Sequence, residues 1–494
     1  MSVPTLTRIA SLKTVSDFRR LMSSLSIQIP CDDKIETGSA SPLLQPVQHQ
    51  SLNGKQIGNR FVVQPMEGWD GTTTGGISEE MLRRWGRFGE SGAKIIFGGE
   101  AMAVRPDGRA NPNQLILNRE NQPGISALRD ALINSHKALY GSTDDLVIGF
   151  QLTHSGRFCR PADKKRLEPR IAYRHPILDS KFGISSDESI FSDDEIEELI
   201  GDYVTAAKIA ADMGADFVDL KHCHGYLLHE FLSARSRPGR FGGSFENRTR
   251  ILREIVARIR ESGNSIEIAV RLSAFDMVPF KPDPTRAEPG KLGPGIPEDF
   301  SNFLPYTWGF GVNQQNPVEP DFTEPLEFLK LCRELGVKLV NLTAGSPYYN
   351  PHIQRPAAFP PSDGYQPAHD PLIDVARQLN AVRELKQRAP KDLIIIGSAY
   401  SYLQEFLPHV AQAAIRDGWT DLVGVGRMAL SYPAFLADAA SGQNLETKLI
   451  CRTFSDCTTA PRNGLKSGCY PLDKYYTTKP DNQQLKEIKR ANKG

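Results

Sequence analysis

The sequence has no apolar run that approaches the length of a bilayer. Its longest runs are short, such as "LIII" at Leu393–Ile396, whereas a spanning helix needs ~20 residues. No membrane association is expected. Charge of one sign is lacking too: 59 Lys and Arg against 58 Asp and Glu leave a formal charge of +1. Without a basic stripe or an acidic tail, nucleic acid is not an expected partner. The N-terminal "MSVPTLTRIASLKTVSDFRR" lacks the apolar core of a secretory signal. Cysteine is sparse, 7 in 494 residues, which excludes the disulfide framework of a small secreted domain. A cytoplasmic protein with mostly reduced thiols is therefore predicted. Finally, no G-x-G-x-x-G follows the first apolar run, where "QPMEGWDGTTTGG" stands instead. That absence counts against a doubly wound dinucleotide-binding sheet.

With 39% apolar and 24% charged residues, the chain can bury a full core. Residues 1–42 show no strong period and read as an N-terminal extension with one helix around Thr14–Leu25. From there, short apolar or β-branched runs alternate with amphipathic helical patterns. The runs are Phe61–Gln64, Lys94–Phe97, Leu146–Leu152, Phe217–Lys221, Ile266–Leu272, Lys338–Leu342, Leu393–Gly397 and Asp421–Gly426. Helical patterns cover Asp193–Met213, Phe245–Glu261, Pro325–Leu335, Pro371–Arg388 and Leu403–Arg416. The first of these opens on a capping box, Ser192 to Glu195. Runs without polar alternation suit parallel strands buried on both faces. Eight strand–helix units predict an α/β fold, a (β/α)₈ TIM barrel over 43–440, followed by a short C-terminal tail over 441–494. A long loop rich in Pro and Gly, 275–323, follows the fifth strand. It is expected on the catalytic face, either as a lid or as a passive insertion or oligomer contact.

Barrel active sites form where strands end. The strand ends supply Pro65, Met66 and Glu67; Glu100 and Ala101; Gln151, His154 and Arg157; Lys221, His224 and Tyr226; Arg271; Thr343; Gly397 and Ser398; and Gly424, Gly426 and Arg427. Glycines and an arginine after the last two strands fit a phosphate. Amide and guanidinium donors at Gln151 and Arg271 fit a flat, hydrogen-bonding ring. Flavin mononucleotide has both parts. A metal is not expected, because His222 and His224 at i, i+2 point apart and no carboxylate or cysteine set completes a tetrahedron.

Three collinear motifs make the case more specific: "HGYLLHEFLS…FGGSFENRTR", "GFQLTHSGR" and "LVGVGR". Through them the chain resembles the old yellow enzyme family, in the branch with the bacterial ene reductases and the barrel of 2,4-dienoyl-CoA reductase. The likeness runs from about Ser41 to Asp438. It implies FMN as cofactor and NAD(P)H as electron donor. It implies that Gln151 and Arg271 hold the pyrimidine edge, that Gly397, Ser398, Gly426 and Arg427 hold the phosphate, and that Ala101, Pro65, Met66 and Glu67 border the ring. Lys221 and His224 would then polarise the oxygen of a small-molecule substrate, and Tyr226 would donate a proton as an activated enone- or enoate-like C=C is reduced. Oxidation or demethylation of an amine or cyclic carbonyl compound is the alternative within the family. A Schiff-base lyase or aldolase using Lys221 is the alternative outside it. A buried interior tyrosine at 226, core histidines and a homo-oligomer all remain compatible with the pattern.

Three departures from the family pattern stand out. Lys221 replaces the first histidine of the substrate pair. Glu67 replaces threonine or cysteine beside the flavin, with Lys221 as its candidate partner. The tail "CRTFSDCTTAPRNGLKSGC" retains Cys457 and Cys469 of a four-cysteine iron–sulfur motif, but Cys451 is out of register. A [4Fe–4S] cluster needs all four thiolates, so no iron–sulfur cluster is expected.

Overall fold

Val-, Ile- and Leu-rich runs that never alternate with polar residues must be covered on both faces, and a closed barrel inside a helical ring does that. The computed structural model describes residues 6–47, 51–361 and 363–491. The outermost parts of the expected extension and tail, 1–5 and 492–494, lie outside them. Eight parallel strands close the barrel: β1 (Phe61–Val63), β2 (Ile95–Ala103), β3 (Val147–Thr153), β4 (Phe217–His222), β5 (Glu267–Ser273), β6 (Leu339–Thr343), β7 (Ile394–Gly397) and β8 (Leu422–Val425), with β8 pairing β1. They coincide with the eight expected runs to within a few residues, apart from the longer C-terminal end of β2.

Period-two alternation decides what each strand offers. Val62, Ile95, Phe97, Val147, Phe217, Ala269, Leu339, Ile394, Ile396 and Leu422 fill the barrel interior as one apolar cluster. Phe97 and Phe217 meet there at 5.2 Å between rings. Their neighbours Val63, Ile96, Ile148, Phe150, Val218, Val270 and Ile395 belong to the outer core, under the helices. Along the inward parity the side chains change from apolar to polar toward the C-terminal mouth: Val62 gives way to Gln64, Phe217 to Asp219 and Lys221, Ala269 to Arg271, Leu339 to Asn341, Ile396 to Ser398. This change of character on one face of each strand places the site.

β2 carries an irregularity. Gly98 and Gly99 have φ of +96° and +56°, and the register against β3 shifts between Gly98 and Ala101. Only glycine adopts successive positive φ without strain.

The covering helices include α1 (Val15–Ser24), α2 (Glu79–Gly89), α3 (Gln122–Tyr140), α4 (Asp193–Asp212), α5 (Arg250–Glu261), α6 (Thr323–Glu334), α7 (Pro371–Arg388) and α8 (Leu407–Arg416). α4 opens on the expected box: Ser192 Oγ accepts from Glu195 N–H at 3.2 Å, and Glu195 Oε2 accepts from Ser192 N–H at 2.8 Å. Two expected helices are broken at their starts. Thr249 separates Phe245–Arg248 from α5. Gln404, with φ of +53°, interrupts the turn before α8. α2 and α3 were not among the helical patterns read from the sequence. α1 docks through Phe18, stacked on Phe406 at 4.6 Å.

Segment 275–323 is not a bare loop. It holds an antiparallel hairpin, Phe280–Pro282 with Gly295–Pro297, and Val278, Phe280, Tyr306 and Val312 form a small core of their own with Ile177 and Tyr365. Among the described residues no helix is long and apolar enough to cross a membrane.

Candidate active site

A cavity of about 230 Å³ opens at the C-terminal mouth of the barrel. Of the residues read from strand ends, it brings together Pro65, Met66, Glu67, Gln151, Lys221, His224, Tyr226, Arg271, Ser398, Gly426 and Arg427. Ala101 and Gly397, which the resemblance assigns to the cofactor, are not among the residues that line it. Beyond the Gly98–Gly99 irregularity Ala101 faces Gln151 in the ladder, is 1% exposed, and gives its carbonyl to the Gln114 amide at 3.0 Å. Gly397 has the outward parity between Ile396 and Ser398, and a Cβ there would meet Tyr400 at 3.2 Å. Glu100 also turns away: with Asp70 it clamps the buried Arg84 guanidinium.

Glu67 is the hub of the substrate side. Its Oε1 pairs with the Lys221 ammonium. Its Oε2 accepts from Tyr226 Oη at 2.8 Å and from Trp69 Nε1 at 3.0 Å. Lys221 Nζ also sits 3.8 Å from the centre of the Tyr226 ring, a cation–π contact. Tyr348 Oη lies 2.9 Å from Tyr226 Oη and its ring stacks on Phe158 at 3.9 Å. Tyr226 has one proton, and Glu67, as a carboxylate, only accepts. The chain of hydrogen bonds therefore runs from Tyr348 to Tyr226 to Glu67. Burial first, and Glu67 next, hold the Tyr226 phenol well above its ordinary pKa. Trp69 and Tyr348 were missed in the sequence. Tyr348 stands in "GSPYYN" just past the sixth strand, the signal that could have found it.

The turn after β4 aims this group. His224 and Gly225 take φ of +65° and +77°, a left-handed pair that a histidine adopts only under constraint. Ser273 Oγ accepts the His224 N–H at 3.0 Å, and Ser346 Oγ donates to its carbonyl at 2.7 Å. Burial, then the nearby Arg271 and Lys221 charges, push the imidazole well below its usual pKa, so His224 is neutral. Its Nε2 is 3.3 Å from Gln354 Nε2. His222 and His229 are buried elsewhere, as core residues. His154 is likewise buried and is lowered to about 3 by desolvation.

The floor is Gln64, which exchanges amide hydrogen bonds with Asn341 at 3.1 and 2.6 Å and reaches Ser398 Oγ at 3.1 Å. Arg271 donates to the Pro65 carbonyl at 3.3 Å, and its buried Nε has no hydrogen-bond partner among the described residues. At the other end Arg427 donates to the Pro356 carbonyl at 2.8 Å, while its buried Nη1 has no partner among the described residues. Beside it Arg355 is lowered to about 10, by burial first and by Arg427 next, and is held by the Thr458 hydroxyl. Two adjacent, half-buried guanidinium groups with no carboxylate partner among the described residues are costly. A ligand with a dianionic phosphate at this end and a hydrogen-bonding ring at the Gln151–Arg271 end satisfies both orphaned donors, so the residues present fit the flavin mononucleotide that the motifs imply.

The tail is part of this wall: Cys457, Thr458, Pro461, Arg462 and Ser467 line the cavity. Among the described residues no group of three or more His, Cys, Asp or Glu is arranged to hold a metal.

The family model for NADH:flavin oxidoreductase / NADH oxidase matches residues 42–292. The chain is 26% identical over 364 residues to the NADH:flavin oxidoreductase FG08077 of Gibberella zeae, covering 71% of this chain and 74% of that one. It is 27% identical over 415 residues to the NADPH dehydrogenase of Bacillus subtilis, covering 82% and 96%. Among solved structures, a 2-naphthoyl-CoA reductase in complex with 2-naphthoyl-CoA superposes with a TM-score of 0.62 at 17% identity. That likeness is one of fold; it covers 90% of this chain but 58% of the longer reductase.

Proposed function

The chain belongs to the NADH:flavin oxidoreductase / NADH oxidase family, the old yellow enzyme group of FMN-dependent, NAD(P)H-driven oxidoreductases, and from that membership we propose that it reduces the activated C=C bond of a small enone- or enoate-like molecule, with Tyr226 as proton donor. The observation that carries this reading is the hydrogen-bonded line Tyr348–Tyr226–Glu67 on the cavity wall.

FMN, when bound, supplies the hydride-transfer chemistry between nicotinamide and substrate. Gln151, Arg271, Ser398, Gly426 and Arg427 would hold it, with Arg355 as a second cation at the phosphate. Arg271 would favour negative charge on the bound ring. His224 and the N–H groups of Lys221 not taken by Glu67 polarise the substrate oxygen. Tyr226 gives its proton to the substrate carbon as a general acid. The resulting phenolate would stand beside Glu67, and Tyr348, which is half-buried, would relieve it by passing on its own proton and regaining one from solvent. The raised Tyr226 pKa keeps that proton in place until a basic carbon arrives.

The Schiff-base reading loses ground, because Lys221 is engaged by Glu67 and an ammonium has no lone pair for a carbonyl. Oxidation of an amine or cyclic carbonyl compound has one observation in its favour. A carboxylate set among Trp69, Tyr226 and Tyr348 suits a cationic substrate. Lys221 already occupies that carboxylate, which leaves reduction the better account.

Anaerobic half-reactions test the proposal. NADH or NADPH should bleach the flavin, and enones, enoates or their CoA esters should restore its colour. Bleaching by amines, with no reoxidation by any alkene, would reverse the direction. The phosphate end has its own test. Arg427→Ala removes a charge-assisted contact of about 1.5–3 kcal/mol, ~10–100-fold in affinity, so the variant should purify largely without FMN. Unchanged occupancy would place the phosphate elsewhere.

A further inference from the structure

Asp219 lies on β4 at the floor of the site with no exposed surface, and nothing in the reaction above uses it. Strand register explains its place. It faces Gln151 across the β3–β4 ladder and Ala269 across the β4–β5 ladder, one inward step below Lys221. Its two oxygens are engaged separately. Oδ2 accepts the side-chain amide of Gln151, 2.5 Å from Nε2, and Oδ1 accepts the backbone N–H of Arg271 at 2.6 Å. Both residues it holds line the cavity.

An ionised carboxylate can only accept. Asp219 therefore takes the nitrogen of the Gln151 amide, and the oxygen is what Gln151 can offer a ligand. The pyrimidine edge of a flavin reads carbonyl, N–H, carbonyl, so an amide oxygen can serve only the N–H. The same carboxylate opposes Arg271. Reduction places negative charge on this edge of the ring, which the guanidinium favours and the carboxylate disfavours.

We propose that Asp219 is a positioning residue: it fixes Gln151 as an acceptor toward FMN and holds the flavin's reduction potential down. The inference rests on the FMN reading of the cavity given above. The charged and titratable groups around Asp219 are Lys221 on its own strand, Cys223 just past that strand's end, Arg271 on β5 and Tyr203 on α4. Burial raises Asp219 to about 7 against the pull of Gln151 and Arg271. Its charge is therefore lost as pH falls through 7, and the restraint on the flavin is lost with it.

The test is Asp219→Asn in the FMN-bound protein, read by spectroelectrochemistry and by FMN titration. Asparagine cannot accept from both partners, so the Gln151 amide must turn and present a donor to the ring. Binding of oxidised FMN should weaken ~10-fold. Removal of the negative charge should favour reduced over oxidised FMN ~10-fold, a rise of about 30 mV for a two-electron couple. Asp219→Glu should restore the lower potential. A merely structural aspartate would lower FMN content but leave the potential of the retained FMN unmoved, and that result overturns the inference. Should Asp219→Asn not fold, the pH dependence of the wild-type potential decides: a change of slope beyond the one that free FMN shows from its own N1–H supports the proposal, and a profile parallel to that of free FMN refutes it. Wild-type protein that takes up no FMN would remove the underlying reading as well, an outcome distinct from an unmoved potential.

Discussion

Tyr226→Phe should leave reduction of the flavin by NAD(P)H intact and slow its reoxidation by an alkene about 10²–10⁴-fold, the range of a lost general acid. The substitution removes one oxygen and keeps the ring, so the contact with the Lys221 ammonium persists. Glu67 keeps two of its three donors, Lys221 and Trp69. The loss should therefore fall on the proton and not on the architecture. Stopped-flow measurement of the two half-reactions separates these. Equal slowing of both would mark Tyr226 as an interior tyrosine. Tyr348→Phe is the companion: it keeps the Tyr226 proton but removes its replenishment, so its effect on reoxidation should be smaller and of the same kind.

Lys221→Ala should cost stability as well as rate. The ion pair is enclosed, with side-chain exposures of 4% for Lys221 and 14% for Glu67. Breaking such a pair from one side leaves a buried charge and costs on the order of 3–5 kcal/mol. Lys221→Ala with Glu67→Ala removes both charges and should return most of that stability in a denaturant titration. Turnover then discriminates between two roles for the lysine. If Lys221 also steadies the substrate oxygen, the double variant should still reoxidise slowly, short by about 2–4 kcal/mol of transition-state stabilisation, the scale of one lost oxyanion donor. If Lys221 only neutralises Glu67, rate returns together with stability, and His224 and Tyr226 are left as the working donors.

The barrel was legible because its strands are covered on both faces, which leaves unbroken apolar runs, and because those runs end in polar residues at a shared parity. The Glu67–Lys221 contact was within reach for the same reason, since both residues sit at strand ends that face one mouth. Ala101 sits off the cavity lining because the glycine irregularity in β2 changes the aim of everything after it, and a register shift is written in the pairing of two strands, not in one. Gly397 sits off that lining by parity, one residue from the inward Ser398. Arg355, Thr458 and Arg462 carry no local signal. They reach the cavity through packing between segments about a hundred residues apart in the chain, Arg355 holding Thr458 and Arg462 holding Asp363. The expected free loop over 275–323 had a hidden core because scattered aromatics such as Phe280 and Tyr306 show no period.

The wall supplied by residues 457–467 also sets an order of events during synthesis. The barrel can close once β8 leaves the ribosome and finds β1, and the glycine-rich end and Arg427 follow at once. Thr458, the partner of Arg355, arrives some thirty residues later. For that interval a nascent chain has a formed floor and an open side, accessible to a cofactor as large as a nucleotide. Arrival of the tail ends the interval. Loading through that side is thus open only until residues 457–467 arrive, and that stretch acts as the latch.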